Sequence, residues 1–221
     1  MITGVRAVLF DLDGTLIDSA PDLAGTANDM RTARGLQPLP YHSYRALVSN
    51  GARGMLAVGL GLVPGDDSFE AARIEFLDRY AARLTQETHV FPEVVPMLAT
   101  LDSKGVPWGI VTNKMQRFTT PVVAALGLDK RSGAVISGDT TPHAKPHPEP
   151  LFEAARRMQV APEHCVYVGD DLRDIESGKA AGMKTVSAAW GYLGDGGAVE
   201  AWQADFVIHR PGELLNLLNL A

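Results

Sequence analysis

The sequence predicts an α/β fold: a Rossmann-like, doubly wound parallel sheet with a small helical domain inserted after its first strand. Three observations carry this prediction. Short β-branched apolar runs recur at residues 6–10, 108–112, 134–137, 165–168, 184–188 and 206–209 with helical stretches between them, and such alternation favours parallel strands covered by helices on both faces. The interval from about residue 16 to about residue 90 carries no strand pattern and is too long for a simple crossover helix. The chain of 221 residues is long enough for one substantial core plus a smaller insert.

Taken in order, the first run is Arg6-Ala7-Val8-Leu9-Phe10, which closes on Asp11-Leu12-Asp13-Gly14-Thr15. Within the long interval, Leu23, Ala27 and Met30 share one helical face, and Phe69, Phe76, Tyr80 and Leu84 recur at helical spacing further on. Turn formers at Asp18-Ser19-Ala20-Pro21 and a proline in 88–92 interrupt the periodicity. The expected division is therefore a core of residues 1–17 and 88–221 and a helical insert of residues 18–87. In the second half, Cys165-Val166-Tyr167-Val168 reads as a buried strand whose single cysteine is a small packed side chain. The glycine-rich piece 191–197 reads as a surface loop.

A formal charge of -6 and a pI near 5.5 lack the basic footprint of a nucleic-acid or anionic-membrane binder. No apolar run approaches the roughly 18 residues of a membrane span, and Asp11 and Asp13 interrupt the only apolar stretch near the N-terminus. The expectation is a cytoplasmic enzyme, and no oligomeric state follows from the sequence.

In parallel sheets the loops at the carboxyl ends of strands carry the site. Asp11 and Asp13 lie two apart in an extended segment, so their carboxylates reach one side. Asp11 is a usable nucleophile if a cation offsets its charge. A calcium loop is the competing reading, but its twelfth position would fall on Asp22 and a strand precedes it. The run 166–168 closes on Gly169-Asp170-Asp171-Leu172-Arg173-Asp174. A helix beginning there would place Asp170 and Asp174 on one face, one binding a metal and the other orienting it, with Asp171 directed elsewhere or simply an exposed first-turn acid. Hard oxygens from Asp11 and Asp170 suit magnesium better than zinc. The six histidines show no metal-ligand spacing, and His143 and His147 read as surface residues.

Two further strand ends add polar groups. Thr112-Asn113-Lys114 supplies a hydroxyl, an amide and an ammonium, candidate contacts to an anionic substrate if Asn113 opens a helix; Thr112 equally suits a helix cap. Lys145, in Lys145-Pro146-His147-Pro148, sits on a loop stiffened by prolines, as a fixed ammonium at the site or a solvated surface lysine.

In this order Asp11-Leu12-Asp13-Gly14-Thr15, Thr112, Lys145, and Gly169-Asp170-Asp171 with Asp174 resemble the four motifs of the haloacid dehalogenase superfamily. The likeness covers essentially the whole chain, and the insert resembles that superfamily's helical cap. It implies a phosphatase in which Asp11 attacks phosphorus to form an aspartyl-phosphate and Asp13 serves as general acid and base. Thr112 would hold a phosphoryl oxygen and Lys145 would neutralise charge. Mg²⁺ would bridge Asp11, the Asp13 carbonyl and Asp170, supported by Asp174 and Asp171. A sugar phosphomutase would form the same adduct. A receiver-like signalling domain also unites acids, threonine and lysine on a parallel sheet, but it is phosphorylated on a later strand.

Within the superfamily, Val111-Thr112-Asn113-Lys114 and 145–151 resemble phosphoglycolate phosphatases. Ser49-Asn50-Gly51-Ala52-Arg53-Gly54 and 169–178 resemble phosphatases of N-acetylmuramic acid 6-phosphate. Asp171 stands where the former commonly carry serine. Either substrate is a small phosphate ester bearing a carboxylate, for which Arg53 is the candidate partner; an exposed arginine is the alternative.

Overall fold

The computed structural model describes residues 1–194 and 196–220. In chain order, β1 (Ala7–Phe10) and β2 (Ile17–Asp18) are followed by four helices, α1 (Ala20–Ala33), α2 (His42–Arg45), α3 (Gly51–Leu60) and α4 (Phe69–Ala81). Then come β3 (His89–Val90), α5 (Val94–Ser103), β4 (Trp108–Val111), α6 (Gln116–Ala125), β5 (Val135–Ile136) and α7 (Glu149–Met158). The chain closes with β6 (Cys165–Gly169), α8 (Leu172–Ala180), β7 (Lys184–Ala188), β8 (Phe206–Ile208) and α9 (Glu213–Leu217).

Ala-Val-Leu-Phe of β1 is wholly buried, and the sheet grows outward from it. The order is β5-β4-β1-β6-β7-β8, with every neighbouring pair parallel. Side chains alternate across the pleat, so Val8 and Phe10 join a cluster with Leu98 of α5, Val122 of α6 and Leu214 of α9. Ala7 and Leu9 face the opposite layer, against Leu151 and Ala154 of α7. Double coverage explains why these strands read as continuous apolar runs. All six expected strands are present. Cys165 is buried, and burial pushes its thiol up to about 11, as suits a packed side chain and not a nucleophile.

The long interval holds α1–α4, with Leu23, Ala27 and Met30 buried on α1 and Phe69, Phe76 and Tyr80 on α4. Its expected lack of strands needs correction. Ile17 and Asp18 of β2 pair antiparallel with Val90 and His89 of β3, so the chain leaves and re-enters the core through adjacent segments. Two-residue strands are too short to show a period.

Pro21 enters the first turn of α1, where its missing N–H costs nothing. Next to it, Asp22 clasps the re-entry: its carboxylate accepts from the amides of Glu87 and Thr88 and from the Thr88 hydroxyl at 2.7–3.0 Å. Asp22 is fully buried in that role and ends no calcium loop. No described helix is long and apolar enough to cross a membrane.

Candidate active site

Because β1, β4 and β6 are adjacent and parallel, their carboxyl ends open on one edge, delivering Asp11, Thr112 and Asp170 together. They line a cavity of about 300 Å³ between the sheet and α1, α3 and α4. Gly14 makes the approach possible. Its φ is +89°, and a Cβ there would run into the Asp170 carboxylate.

Lys145 is no surface lysine; it is only 5% exposed. Its ammonium donates to Asp11 Oδ1 at 2.8 Å, Asp174 Oδ1 at 2.7 Å, the Tyr167 hydroxyl at 2.8 Å and the Val111 carbonyl at 3.0 Å. Burial alone would lower its pKa, but Asp11 and Asp174 hold it above the ordinary lysine value. Asn113 fixes the loop from below, its amide bonding the Lys145 carbonyl and accepting from the Lys145 N–H, both at 2.9 Å. Asn113 does not open a helix, because α6 begins at Gln116; it lines the cavity, with one of its two side-chain N–H groups spent on the Lys145 carbonyl. Thr112 is not a helix cap either: its oxygen accepts the Lys114 N–H at 3.1 Å in a tight turn.

Asp11, Asp170 and Asp174 bring carboxylate oxygens within 4.8 Å of one another. Burial pushes the Asp11 carboxyl up to about 7, Asp174 adding repulsion and Lys145 pulling the other way. Asp170 is held well above the usual carboxylate range by burial and by Asp11, against hydrogen bonds from the Thr15 hydroxyl and the Tyr192 N–H, both 2.7 Å. Three clustered acids with one ammonium leave excess negative charge, and this donor set fits a hard dication. Asp174 is otherwise engaged, accepting from Lys145 and, through Oδ2, from the Asp171 N–H at 3.0 Å. Asp170, whose partners are uncharged, and Asp11, whose Oδ2 has no partner among the described residues, are the natural direct ligands.

Asp13 lies apart from that cluster. Its Oδ1 accepts from the Ser19 hydroxyl and from the Lys114 ammonium at 3.0 Å, and among the described residues Oδ2 has no partner. Lys114 also reaches the Tyr80 hydroxyl of α4 at 2.7 Å, so it lines the cavity while tied to core and insert. Burial would lower its pKa; Asp13 and Tyr80 more than reverse that.

The fourth strand end differs from expectation. Asp170 precedes α8, and it converges with Asp174 from the strand, not along one helix face. Asp171 is the N-cap of α8, in a reciprocal capping box with Asp174, and not an exposed acid. It grips the Arg173 guanidinium at 2.7 and 2.8 Å. Arg53 is a further correction: it is exposed on α3 and absent from the cavity lining, which instead includes Arg173. His143 and His147 are exposed, as expected. Their rings stack at 4.4 Å, with His143 Nδ1 2.8 Å from Glu149.

Two tyrosines carry contacts that periodicity conceals. Tyr80 reads as an apolar helix-face residue, yet its hydroxyl meets Lys114. Tyr192 falls in the piece 191–197, expected as a surface loop; Asp195 within it lies outside the described residues, but Gly191 and Tyr192 are buried. Besides its amide on Asp170, the Tyr192 hydroxyl donates to Asp18 at 2.7 Å and accepts from the Ser19 and Ala20 amides at 2.9 and 3.0 Å.

A family model described as haloacid dehalogenase-like hydrolase matches residues 5–182. The chain is 47% identical over 210 residues to a phosphoglycolate phosphatase of Xanthomonas campestris pv. campestris, covering 95% of this chain and 94% of that protein. It is 40% identical over 217 residues to an N-acetylmuramic acid 6-phosphate phosphatase of Pseudomonas putida, covering 98% and 97%. A crystal structure of a predicted phosphoglycolate phosphatase from Haemophilus somnus superposes with a TM-score of 0.84 at 25% identity, covering 99% of this chain and all of that one. On this evidence the chain belongs to the haloacid dehalogenase-like hydrolases.

Proposed function

We propose that the protein is a Mg²⁺-dependent phosphomonoester hydrolase acting on a small, carboxylate-bearing phosphate ester through an aspartyl-phosphate at Asp11. One observation carries the reading: Asp11 stands at the cavity floor with Oδ1 held by Lys145 and Oδ2 without a partner among the described residues. The free oxygen would attack phosphorus as the bond to the ester oxygen breaks. Asp13 would pass a proton through its open Oδ2 to the departing alkoxide and then take one from the water that cleaves the Asp11–phosphorus bond. Ser19 and Lys114 hold its Oδ1. Thr112, buried beside the floor, would donate its hydroxyl to a phosphoryl oxygen.

Asp11, Asp170 and the Asp13 carbonyl would hold Mg²⁺. When bound, the ion supplies positive charge to the acid cluster and the phosphoryl oxygens. Helices α1–α4 would act as the cap, excluding water and receiving the leaving group against Leu23, Val48, Phe76 and Leu77. The relatives named above support the substrate class, since 2-phosphoglycolate and N-acetylmuramic acid 6-phosphate both carry a carboxylate.

A phosphate-release screen over small esters, containing both of these, tests the proposal. Turnover that depends on Mg²⁺ and vanishes with EDTA is expected. Release of an isomeric sugar phosphate in place of free phosphate would contradict hydrolysis.

A further inference from the structure

The cavity lining contains three cations, Lys114, Lys145 and Arg173. The two lysine side chains are 8% and 3% exposed, each spent on acids. Arg173 differs, with 37% of its side chain open. Asp171 accepts from its Nε and Nη2, and the Ser49 carbonyl accepts from Nη2 at 2.9 Å. Among the described residues its Nη1 has no partner, so two of the five guanidinium N–H groups remain for a ligand. The contact to Ser49 sets this group against Ser49, Asn50, Gly51 and Ala52, which line the same cavity where α3 begins. The Gly51 N–H is spent on the Val48 carbonyl, but the next first-turn amides of α3 lack intrahelical acceptors and favour an anion.

We propose that Arg173, steadied by Asp171 and placed beside the first turn of α3, forms the subsite for a carboxylate on the substrate's leaving group. The inference rests on the phosphomonoester hydrolase reading and moves the recognition role from Arg53 to Arg173. Asp171 neutralises much of the arginine's charge, so the subsite selects by the direction of its N–H donors more than by net attraction. Asp171 is a positioning residue: it touches Arg173, not the ligand.

The test compares matched esters that differ in a carboxylate-bearing group: 2-phosphoglycolate with ethyl phosphate, and N-acetylmuramic acid 6-phosphate with N-acetylglucosamine 6-phosphate. Wild-type protein should show a higher kcat/KM for the acid of at least one pair. In Arg173→Met that preference should fall by about tenfold or more, the scale of a lost charge-assisted hydrogen bond. In Arg53→Met it should stay within about twofold, as for an ordinary surface substitution. An unaltered preference in folded Arg173→Met, with both esters slowed alike, would reduce Arg173 to a strut between core and insert and overturn the subsite. Absence of any acid preference in the wild type would overturn it without a variant, which covers the case of a variant that does not fold. Failure of the wild type to release phosphate from any ester is a different outcome; it removes the hydrolase reading and this subsite with it.

Discussion

The two walls of the cavity are built on opposite principles. The floor, from the core, is crowded with charge: Asp11, Lys145, Asp170 and Asp174 are nearly or wholly buried, and the ammonium alone has four oxygen neighbours. The facing wall, from the insert, presents Leu23, Val48, Phe76 and Leu77, with Ser49, Asn50 and Tyr80 as its polar groups. Charges that stabilise a reacting centre must be oriented before the reaction, and a doubly covered sheet edge holds them rigidly. A leaving group needs only shape and a few directional bonds. Among the contacts that join the walls are Tyr80 to Lys114, Arg173 to Ser49, Ser19 to Asp13, Arg45 to the Gly191 carbonyl, and Tyr192 to Asp18.

The largest effect should come from breaking the floor. Lys145→Met removes the one ammonium among three acids and leaves Asp11 and Asp174 buried without it. We expect a stability loss of about 3–5 kcal/mol, as for other buried pairs stripped of one partner. Turnover should fall at least about 10²-fold. Chemical denaturation and phosphate-release assays would check both; a stable, active variant would show that the floor is not electrostatically coupled.

A second prediction concerns pH and metal. Burial raises the Asp11 carboxyl from its ordinary value to about 7, so the metal-free folded protein keeps a proton that the unfolded chain has released. From this group, stability falls as pH climbs from about 4 through about 7. A dication favours the ionised acid, so stabilisation by Mg²⁺ should grow over the same interval. Unfolding temperatures in Mg²⁺ and in EDTA, taken near pH 5.5 and near pH 8 on either side of this shifted value, would measure it. An equal gap at both would contradict it.

The smallest effect should come from the joint between the walls. Tyr80→Phe deletes one hydrogen bond to Lys114 and leaves the packing of α4 intact. A cost of about 1 kcal/mol is expected, with turnover down by less than about tenfold. A loss as large as that of Lys145→Met would mean that the insert takes part in the chemistry itself.

How much of this was readable from the sequence depends on whether a residue's role is local. The inner strands β1, β4 and β6 were readable because burial on both faces makes each an apolar run, and the acids were readable because they sit where such runs stop. Roles set by distant partners were not. Nothing near Tyr80 or Tyr192 announces a lysine from β4's end or a carboxylate from β6's end. Asn113 also braces the loop bearing Lys145, a role set by a residue 32 positions away. The sequence singles out Arg53 as the fork, and only the packing of α3 and α8 puts Arg173 at the cavity. β2 and β3 escaped notice because two residues hold no period.

The central claim is that the carboxylate of Asp11 captures the phosphoryl group covalently. Rapid quenching during turnover, followed by borohydride reduction and peptide mass spectrometry, tests it most directly. The account predicts a reduced side chain at position 11, dependent on substrate and Mg²⁺ and absent in Asp11→Asn. Phosphate release with no modification at position 11, or undiminished release in Asp11→Asn, would contradict it.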